Sequence, residues 1–146
     1  MPVFVDTNVL VYARDPSEGE KQVRASAWMQ HLWRGADARV SVQVLQEYYV
    51  TVTKKLRPGL SPEAARADIT DLAAWRPVES RPSLLEAAWA IEDRFAISFW
   101  DALIVAAAHE AGCSHLLTED LASGMDFDGV VVLDPFSTQP ASEASS

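Results

Sequence analysis

Cysteine is almost absent. Cys113 is the only one in 146 residues, which excludes an intramolecular disulfide and fits a reducing cytoplasm. Its expected place is as a small buried residue near a helix C-terminus. No apolar run approaches the ~20 residues needed to span a bilayer. The N-terminus has no basic stretch and meets its first acid at Asp6, unlike a signal peptide. Histidine is scarce as well: His31, His109 and His115 are spaced neither as metal ligands nor as a catalytic pair, so ordinary structural roles are expected for them. Lysine ends at Lys55. No internal repeat is visible.

Positive charge is also in short supply. There are 12 Lys/Arg against 21 Asp/Glu, a net charge of −9, which at first sight argues against a nucleic-acid partner. The shortage is uneven. Residues 1–57 hold eight Lys/Arg against six Asp/Glu, whereas residues 58–146 hold four against fifteen. A phosphate strand could approach through the N-terminal half, by Arg14, Lys21, Arg24 and the Lys54-Lys55-Leu56-Arg57 run. The plainer account of that run is a solvated helix end favoured by the helix dipole.

What is present is an ordinary apolar content of 49%, with 23% charged residues, in a chain long enough for one domain with its own core. Residues 1–137 read as that domain and 138–146, rich in Ser, Ala and Pro, as a disordered tail. Pro2–Val5 reads as a buried strand and Thr7–Ala13 as a short helix. A capping box at Ser17-Glu18-Gly19-Glu20 predicts a helix to about Trp33, ended by Gly35. Arg39–Val42 is a second strand, Gln43–Leu56 a helix stopped by Pro58-Gly59, and Ser61-Pro62-Glu63 the start of another, to about Trp75. Arg76–Glu79 follows as an extended segment. A second capping box, Ser83 to Glu86, opens a helix with Leu84, Ala88, Ile91 and Phe95 at helical spacing. Ser98 begins an Ala-rich helix, apolar on most sides and ended by Gly112. His115–Thr118 and Gly129–Leu133 are two further strands. Strands alternating with helices predict an α/β fold, a three-layer α/β/α sandwich with a mostly parallel central sheet. The five tryptophans fall at apolar-face or edge positions, where packing rather than base stacking is expected.

Four acids stand at special places in this pattern: Asp6 directly after the first strand, Glu47 in the second turn of an apolar helix, Asp101 in the first turn of the Ala-rich helix, and Asp120 just past the third strand. In an open parallel sheet, ligands bind outside the carboxyl ends of the strands. Acids gathered there repel one another unless something cationic sits between them. Hard oxygen ligands suit Mg²⁺ or Mn²⁺, and such ions serve phosphoryl chemistry. Each acid also has a simpler use. Asp6 can cap the helix that follows, Glu47 can be a surface glutamate, Asp101 can complete a capping box with Ser98, and Asp120 can open a turn.

Taken together, Phe4-Val5-Asp6-Thr7-Asn8-Val9-Leu10, Ser41 to Tyr48 with Glu47, Ser98-Phe99-Trp100-Asp101-Ala102-Leu103-Ile104, Leu117-Thr118-Glu119-Asp120-Leu121 and Val132-Leu133-Asp134-Pro135-Phe136 resemble the PIN-domain ribonucleases, and within them the VapC-type toxins of toxin–antitoxin pairs. The resemblance runs over residues 2–136. It implies a PIN-like nuclease domain whose catalytic, metal-binding site is Asp6, Glu47, Asp101 and Asp120, with Thr7 and Thr118 as supporting hydroxyls. It implies one or two Mg²⁺ or Mn²⁺ ions, with Asp6 and Asp101 the tightest contacts, Glu47 orienting the attacking water and Asp120 a second or outer contact. In-line hydrolysis of RNA would leave a 5′-phosphate and a 3′-hydroxyl. The resemblance also implies a homodimer, inhibited by a cognate VapB-like antitoxin whose helix enters an apolar groove. The apolar and aromatic excess on Ser17–Trp33 and Gln43–Leu56, notably Trp28, Met29, Trp33, Tyr48 and Tyr49, is the expected groove. One departure stands out: many relatives carry a further Asp beyond the fourth acid, whereas Leu121 and Ala122 follow here. The fourth corner is therefore Asp120 alone or Asp120 with Glu119.

Three rival readings meet specific obstacles in the chain. A haloacid-dehalogenase-like phosphatase requires an acid two residues after Asp6, where Asn8 stands. A receiver-like signalling domain requires a late lysine, and none occurs after Lys55. A PIN fold used as an RNA- or protein-binding module with a silent nuclease site is opposed by the presence of all four acids. The RNA target and the identity of the antitoxin are not written in the chain.

Overall fold

Val3, Phe4 and Val5 point alternately to opposite faces of a strand, yet all three are buried, so the sheet is covered on both sides. In the computed structural model, which describes residues 2–35 and 37–140, this strand is β1 (Val3–Val5). It joins β2 (Ala38–Arg39), β3 (His115–Leu117), β4 (Asp126–Phe127) and β5 (Val130–Leu133) in one sheet of order β2-β1-β3-β5-β4. The pairs β1–β2, β1–β3 and β3–β5 are parallel, and β4 runs antiparallel to β5. The helices are α1 (Thr7–Ala13), α2 (Glu20–Trp33), α3 (Val42–Val50), α4 (Pro62–Leu72), α5 (Pro82–Phe95) and α6 (Phe99–Glu110). Among the described residues no helix is long and apolar enough to cross a membrane. The expected α/β architecture with a mostly parallel sheet is the one observed.

The core runs along the sheet and α6. Every residue from Ala102 to Ala108 is buried, as a helix apolar on most sides requires. Trp28 of α2 is fully buried, and its indole N–H donates to the Pro135 and Thr138 carbonyls at 3.2 and 2.9 Å. That contact holds Thr138, within the segment read as a tail, whose residues 141–146 lie outside the described ones. Cys113 is buried just past α6.

Several local expectations need correction. Ser17 does not cap α2. Asp15 captures the Ser17 N–H and hydroxyl at 3.0 and 2.6 Å, a 3-10 turn forms over Pro16–Glu18, and Gly19 (φ 55°) becomes the N-cap. Ser83 lies inside α5, because Pro82 already fills the first turn and Arg81 is the N-cap. The second strand is shorter than Arg39–Val42, since Ser41 caps α3 at the Val44 N–H. The helix from Val42 ends at Val50 and passes into a π-turn over Thr51–Lys55, closed by the Leu56 N–H on the Thr51 carbonyl at 3.0 Å. Of the segment Arg76–Glu79 expected to be extended, Val78 bridges to Ser41 in parallel, whereas Arg76 is left-handed (φ 49°) and closes the preceding 3-10 turn. β4 was not anticipated. It pairs with β5 through Asp128-Gly129, both at positive φ (54° and 103°), the two-residue turn that an Asp-Gly pair favours.

Chain order places the crevice. From β1 the chain crosses to β2 on one side and later returns to β3 on the other, so the order reverses between β1 and β3. Their carboxyl ends are level, with Val5 opposite Leu117. This is the switch point where open parallel sheets bind ligands, and Asp6 and Thr118 are the next residue of each strand.

Candidate active site

Asp6 leaves β1 and caps α1. One carboxylate oxygen accepts from the Thr7 N–H at 2.7 Å, and the other accepts from the Thr118 hydroxyl at 2.8 Å and the Asn8 amide at 3.3 Å. The helix-cap role and the site role therefore belong to the same side chain. Asp6 is only 6% exposed. Burial pushes its pKa up to about 7, against the pull of the Thr118 and Thr7 hydrogen bonds, with the charges of Asp120 and Glu47 adding to the rise.

Asn8 joins the two strand ends. Its Nδ2 lies 3.1 Å from Thr118 Oγ1 and 3.2 Å from Asp120 Oδ2 as well as 3.3 Å from Asp6, and its Oδ1 accepts from the Glu119 N–H at 3.3 Å. Thr118 Oγ1 accepts in turn from the Asp120 N–H at 3.0 Å. Asn8 has no role assigned from the sequence alone. The signal was an amide, a poor helix former, placed in the first turn directly after the acid.

The remaining acids sit nearer the mouth. Asp101 opens α6, where Ser98 caps its N–H at 3.1 Å. Its carboxyl pKa is raised by burial, opposed by the Ser98 hydrogen bond, and raised again by Asp120. Glu47 lies on the outer face of α3, where Val50, one turn on, is exposed as well. It too titrates high: partial burial leads, a Gln43 hydrogen bond opposes, Asp120 and Asp101 add, and Lys55 draws it back. Asp120 thus raises each of the other three acids. Asn8 ties Asp6 to Asp120, and Glu47 and Asp101 are near enough for their charges to act within the same group, of which Asp6 is the most buried.

Glu119 is engaged elsewhere. It accepts from the Tyr12 hydroxyl and pairs with Lys21 at 3.0 Å, and the Lys21 ammonium also lies 5.1 Å from the Tyr12 ring centroid. Asp120 is the acid left facing the site. The three N-terminal cations expected to meet phosphate are likewise occupied, Arg14 by Asp68, Lys21 by Glu119 and Arg24 by Glu20.

The donor set fits a hard divalent cation. Four carboxylates repel one another, no described ion pair engages any of them, and the buried Thr7 hydroxyl beside Asp6 has no hydrogen-bond partner. An unpaired buried hydroxyl costs about 1–3 kcal/mol, so this corner of the site favours a polar occupant. Among the described residues no three acids already stand at a common coordination distance.

The PIN domain family matches residues 3–122, and the chain belongs to that family. Solved structures agree on the fold. The chain is similar to FitAB bound to an IR36 DNA fragment (TM-score 0.70, 23% identity, covering 92% of this chain and 95% of that one). It is similar to a toxin–antitoxin complex from Klebsiella pneumoniae (TM-score 0.65, 19% identity, covering 91% and 97%). It also resembles VapC20 of Mycobacterium tuberculosis, a sarcin–ricin loop cleaving toxin (TM-score 0.55, 24% identity, covering 78% and 86%). No curated protein sequence gives a significant match.

Proposed function

We propose that this protein is a VapC-type toxin, a Mg²⁺- or Mn²⁺-dependent endoribonuclease that hydrolyses RNA phosphodiesters and is held in check by an antitoxin. The observation that carries the reading is the set of four mutually repelling carboxylates around the β1–β3 switch point of a PIN fold. Asp6 and Asp101 would hold the ion, with Asp120 as a second or outer contact. Bound there, the ion would polarise a phosphodiester oxygen and favour ionisation of the attacking water. Glu47, which is exposed, would orient that water for in-line attack, which would leave a 5′-phosphate and a 3′-hydroxyl. Thr118 and Asn8 fix the carboxylates, and the Thr7 hydroxyl is available to a phosphate oxygen or a water.

Two partners follow from the same reading. A homodimer is supported by apolar surface that one chain leaves uncovered, with Leu85 and Trp89 one turn apart on α5 and Trp100 on α6, respectively 38, 52 and 66% exposed; light scattering of the purified chain at monomer mass would refute it. An antitoxin is supported by the likeness to a toxin–antitoxin complex and by the apolar groove that Met29, Trp33 and Leu72 line.

The competing reading is a PIN-fold binding module with a silent site, favoured by the lack, among the described residues, of a preassembled three-acid ligand set. One experiment separates them. Purified protein is incubated with single-stranded RNA and Mn²⁺ or EDTA, beside Asp101→Asn. Cleavage that needs Mn²⁺ and falls at least about 100-fold in the variant supports the nuclease. No cleavage by the wild type, or equal cleavage by Asp101→Asn, favours the silent module or another site.

A further inference from the structure

In a chain of net charge −9, an RNA strand needs cations that are not already neutralised. Arg14, Lys21, Arg24, Arg76, Arg81 and Arg94 all lie in ion pairs within the fold. Of the cations outside the described ion pairs, Arg39 donates to backbone carbonyls, Arg66 lies over the Tyr49 ring and Arg34 stands alone at the end of α2, whereas Lys54, Lys55 and Arg57 form one exposed run. These three lie at the end of the helix that carries Glu47. Lys54 and Lys55 are seven and eight residues beyond it, about two turns and roughly 10–12 Å along the axis. Lys55 is near enough for its charge to act on Glu47.

The run is displayed on a built turn rather than a fraying end. Thr51–Lys55 winds as a π-turn, and the Thr53 hydroxyl donates to the Tyr49 carbonyl at 2.6 Å. The returning chain then caps it: the Leu60 N–H donates to the Val52 carbonyl at 2.8 Å. Gly59 permits this approach, since a β-carbon there would stand 2.8 Å from the Val52 carbonyl oxygen and 3.0 Å from that of Leu56. A helix dipole alone would attract a basic residue to this end. It does not account for three unpaired cations on a capped turn beside the site's mouth, in a molecule that pairs so many of its others.

We propose that the π-turn Thr51–Lys55, with Arg57, is a phosphate-binding surface for the single-stranded RNA flanking the scissile bond. The class of ligand rests on the ribonuclease reading above; the surface itself rests on the distribution of unpaired charge. It acts by charge on the backbone and so carries affinity rather than sequence choice.

The test compares Lys54→Gln/Lys55→Gln/Arg57→Gln with the charge-matched control Arg76→Gln/Arg81→Gln/Arg94→Gln, both in an Asp101→Asn background that leaves the probe uncut. Binding of a labelled single-stranded RNA is followed by anisotropy between about 50 and 200 mM salt, with Mg²⁺ present. Each phosphate contact to a single strand contributes a salt slope of about 0.7. The basic-run variant should therefore bind at least about tenfold more weakly at low salt, with a slope shallower by about 2, while the control keeps the parental slope. Should the triple variant fail to fold, Lys54→Gln and Lys55→Gln singly should each lower the slope by about 0.7. An unchanged slope, an equal change in the control, or no RNA binding by the parent overturns the proposal. So does a loss confined to antitoxin binding, which would make the run a protein contact. Failure of the nuclease reading appears separately, as wild-type protein that does not cleave RNA with Mn²⁺.

Discussion

Asn8 does for this site what a second shell of ligands does in a metal centre. Its single amide nitrogen lies within 3.3 Å of Asp6, Thr118 and Asp120, and its oxygen receives the Glu119 N–H. Outer partners of this kind are worth about 10–100-fold in metal affinity or activity. Asn8→Ala should therefore lower Mn²⁺ affinity by about 10–100-fold, read as a smaller Mn²⁺-induced rise in Tm and as weaker binding by calorimetry. Asn8→Asp keeps an acceptor for Glu119 but removes the donor and adds a fifth carboxylate. Its metal-free Tm should fall below that of Asn8→Ala at pH 8 and recover with Mn²⁺. A variant at position 8 that binds Mn²⁺ like the wild type would remove Asn8 from the site. The four acids stand out in the sequence because Asp6 directly follows a strand, Asp120 comes three residues after another, and Asp101 and Glu47 lie in the first and second turns of helices, places that can be counted along a chain. Asn8 does not, because its value comes from Thr118 and Asp120, which only folding brings beside it. The status of Glu119 was hidden for the same reason: nothing local announces that Tyr12 and Lys21 will occupy it.

At the level of elements, what was written locally was read well. Thr7–Ala13 forms as expected, Ser61 caps α4 at the Ala64 N–H, and Ser98 caps α6. Errors arose where two local signals competed, as Asp15 displaced Ser17 and Pro82 displaced Ser83. They also arose where an element was too short to show a period, as with β4. The apolar excess on the second and third helices resolves in the same way. Trp28 belongs to the core, while Met29 and Trp33 line a groove of about 540 Å³ between α1, α2 and α4, with Leu10, Tyr48 and Leu72. Asp68 gives the groove a polar edge, held by Arg14 and the Tyr48 hydroxyl. Under the toxin reading, a groove with this lining suits the apolar face of an antitoxin helix. Trp33 is 45% exposed and covers the buried Trp75 with ring centroids 4.5 Å apart, so Trp33→Glu places a charge in the groove at some cost in stability, which the Tm of the variant reads separately. Antitoxin affinity should fall at least about tenfold, as for loss of an aromatic anchor, while Mn²⁺-dependent cleavage by the free protein persists. Full affinity in Trp33→Glu would put the antitoxin on another face.

For the whole molecule, the acid cluster sets how stability depends on pH. The net charge of −9 already favours the compact state at lower pH, because self-repulsion weakens as acids protonate. Asp6 adds a specific term of the same sign. Its pKa rises from 3.8 unfolded to about 7 folded, so the folded state binds its proton more tightly. That contribution is fully present below the unfolded value and disappears as pH rises from about 4 through about 7. Glu47 and Asp101 are displaced in the same direction, chiefly by partial burial and then by neighbouring acids, and being more exposed they contribute less. Glu110, held low by Arg81, works oppositely, but its stabilisation fades only as pH falls toward the acid range. The metal-free protein should accordingly melt at a higher temperature at pH 5 than at pH 8, and Asp6→Asn should flatten that slope. Under the nuclease reading a divalent ion would reverse the trend. It would bind the ionised carboxylates of the folded chain and have to displace their protons, and at a hundred times its dissociation constant it would stabilise by about 2.7 kcal/mol. The Tm gained with Mn²⁺ should therefore grow between pH 5 and pH 8, over the window in which Asp6 loses its proton. Melting curves with EDTA and with Mn²⁺ across that range decide the matter. A metal-free Tm that is flat or rises toward pH 8 would show that Asp6 is not held protonated in the folded protein. A Mn²⁺ gain that is larger at pH 5 would show that the ion binds outside the carboxylate crevice.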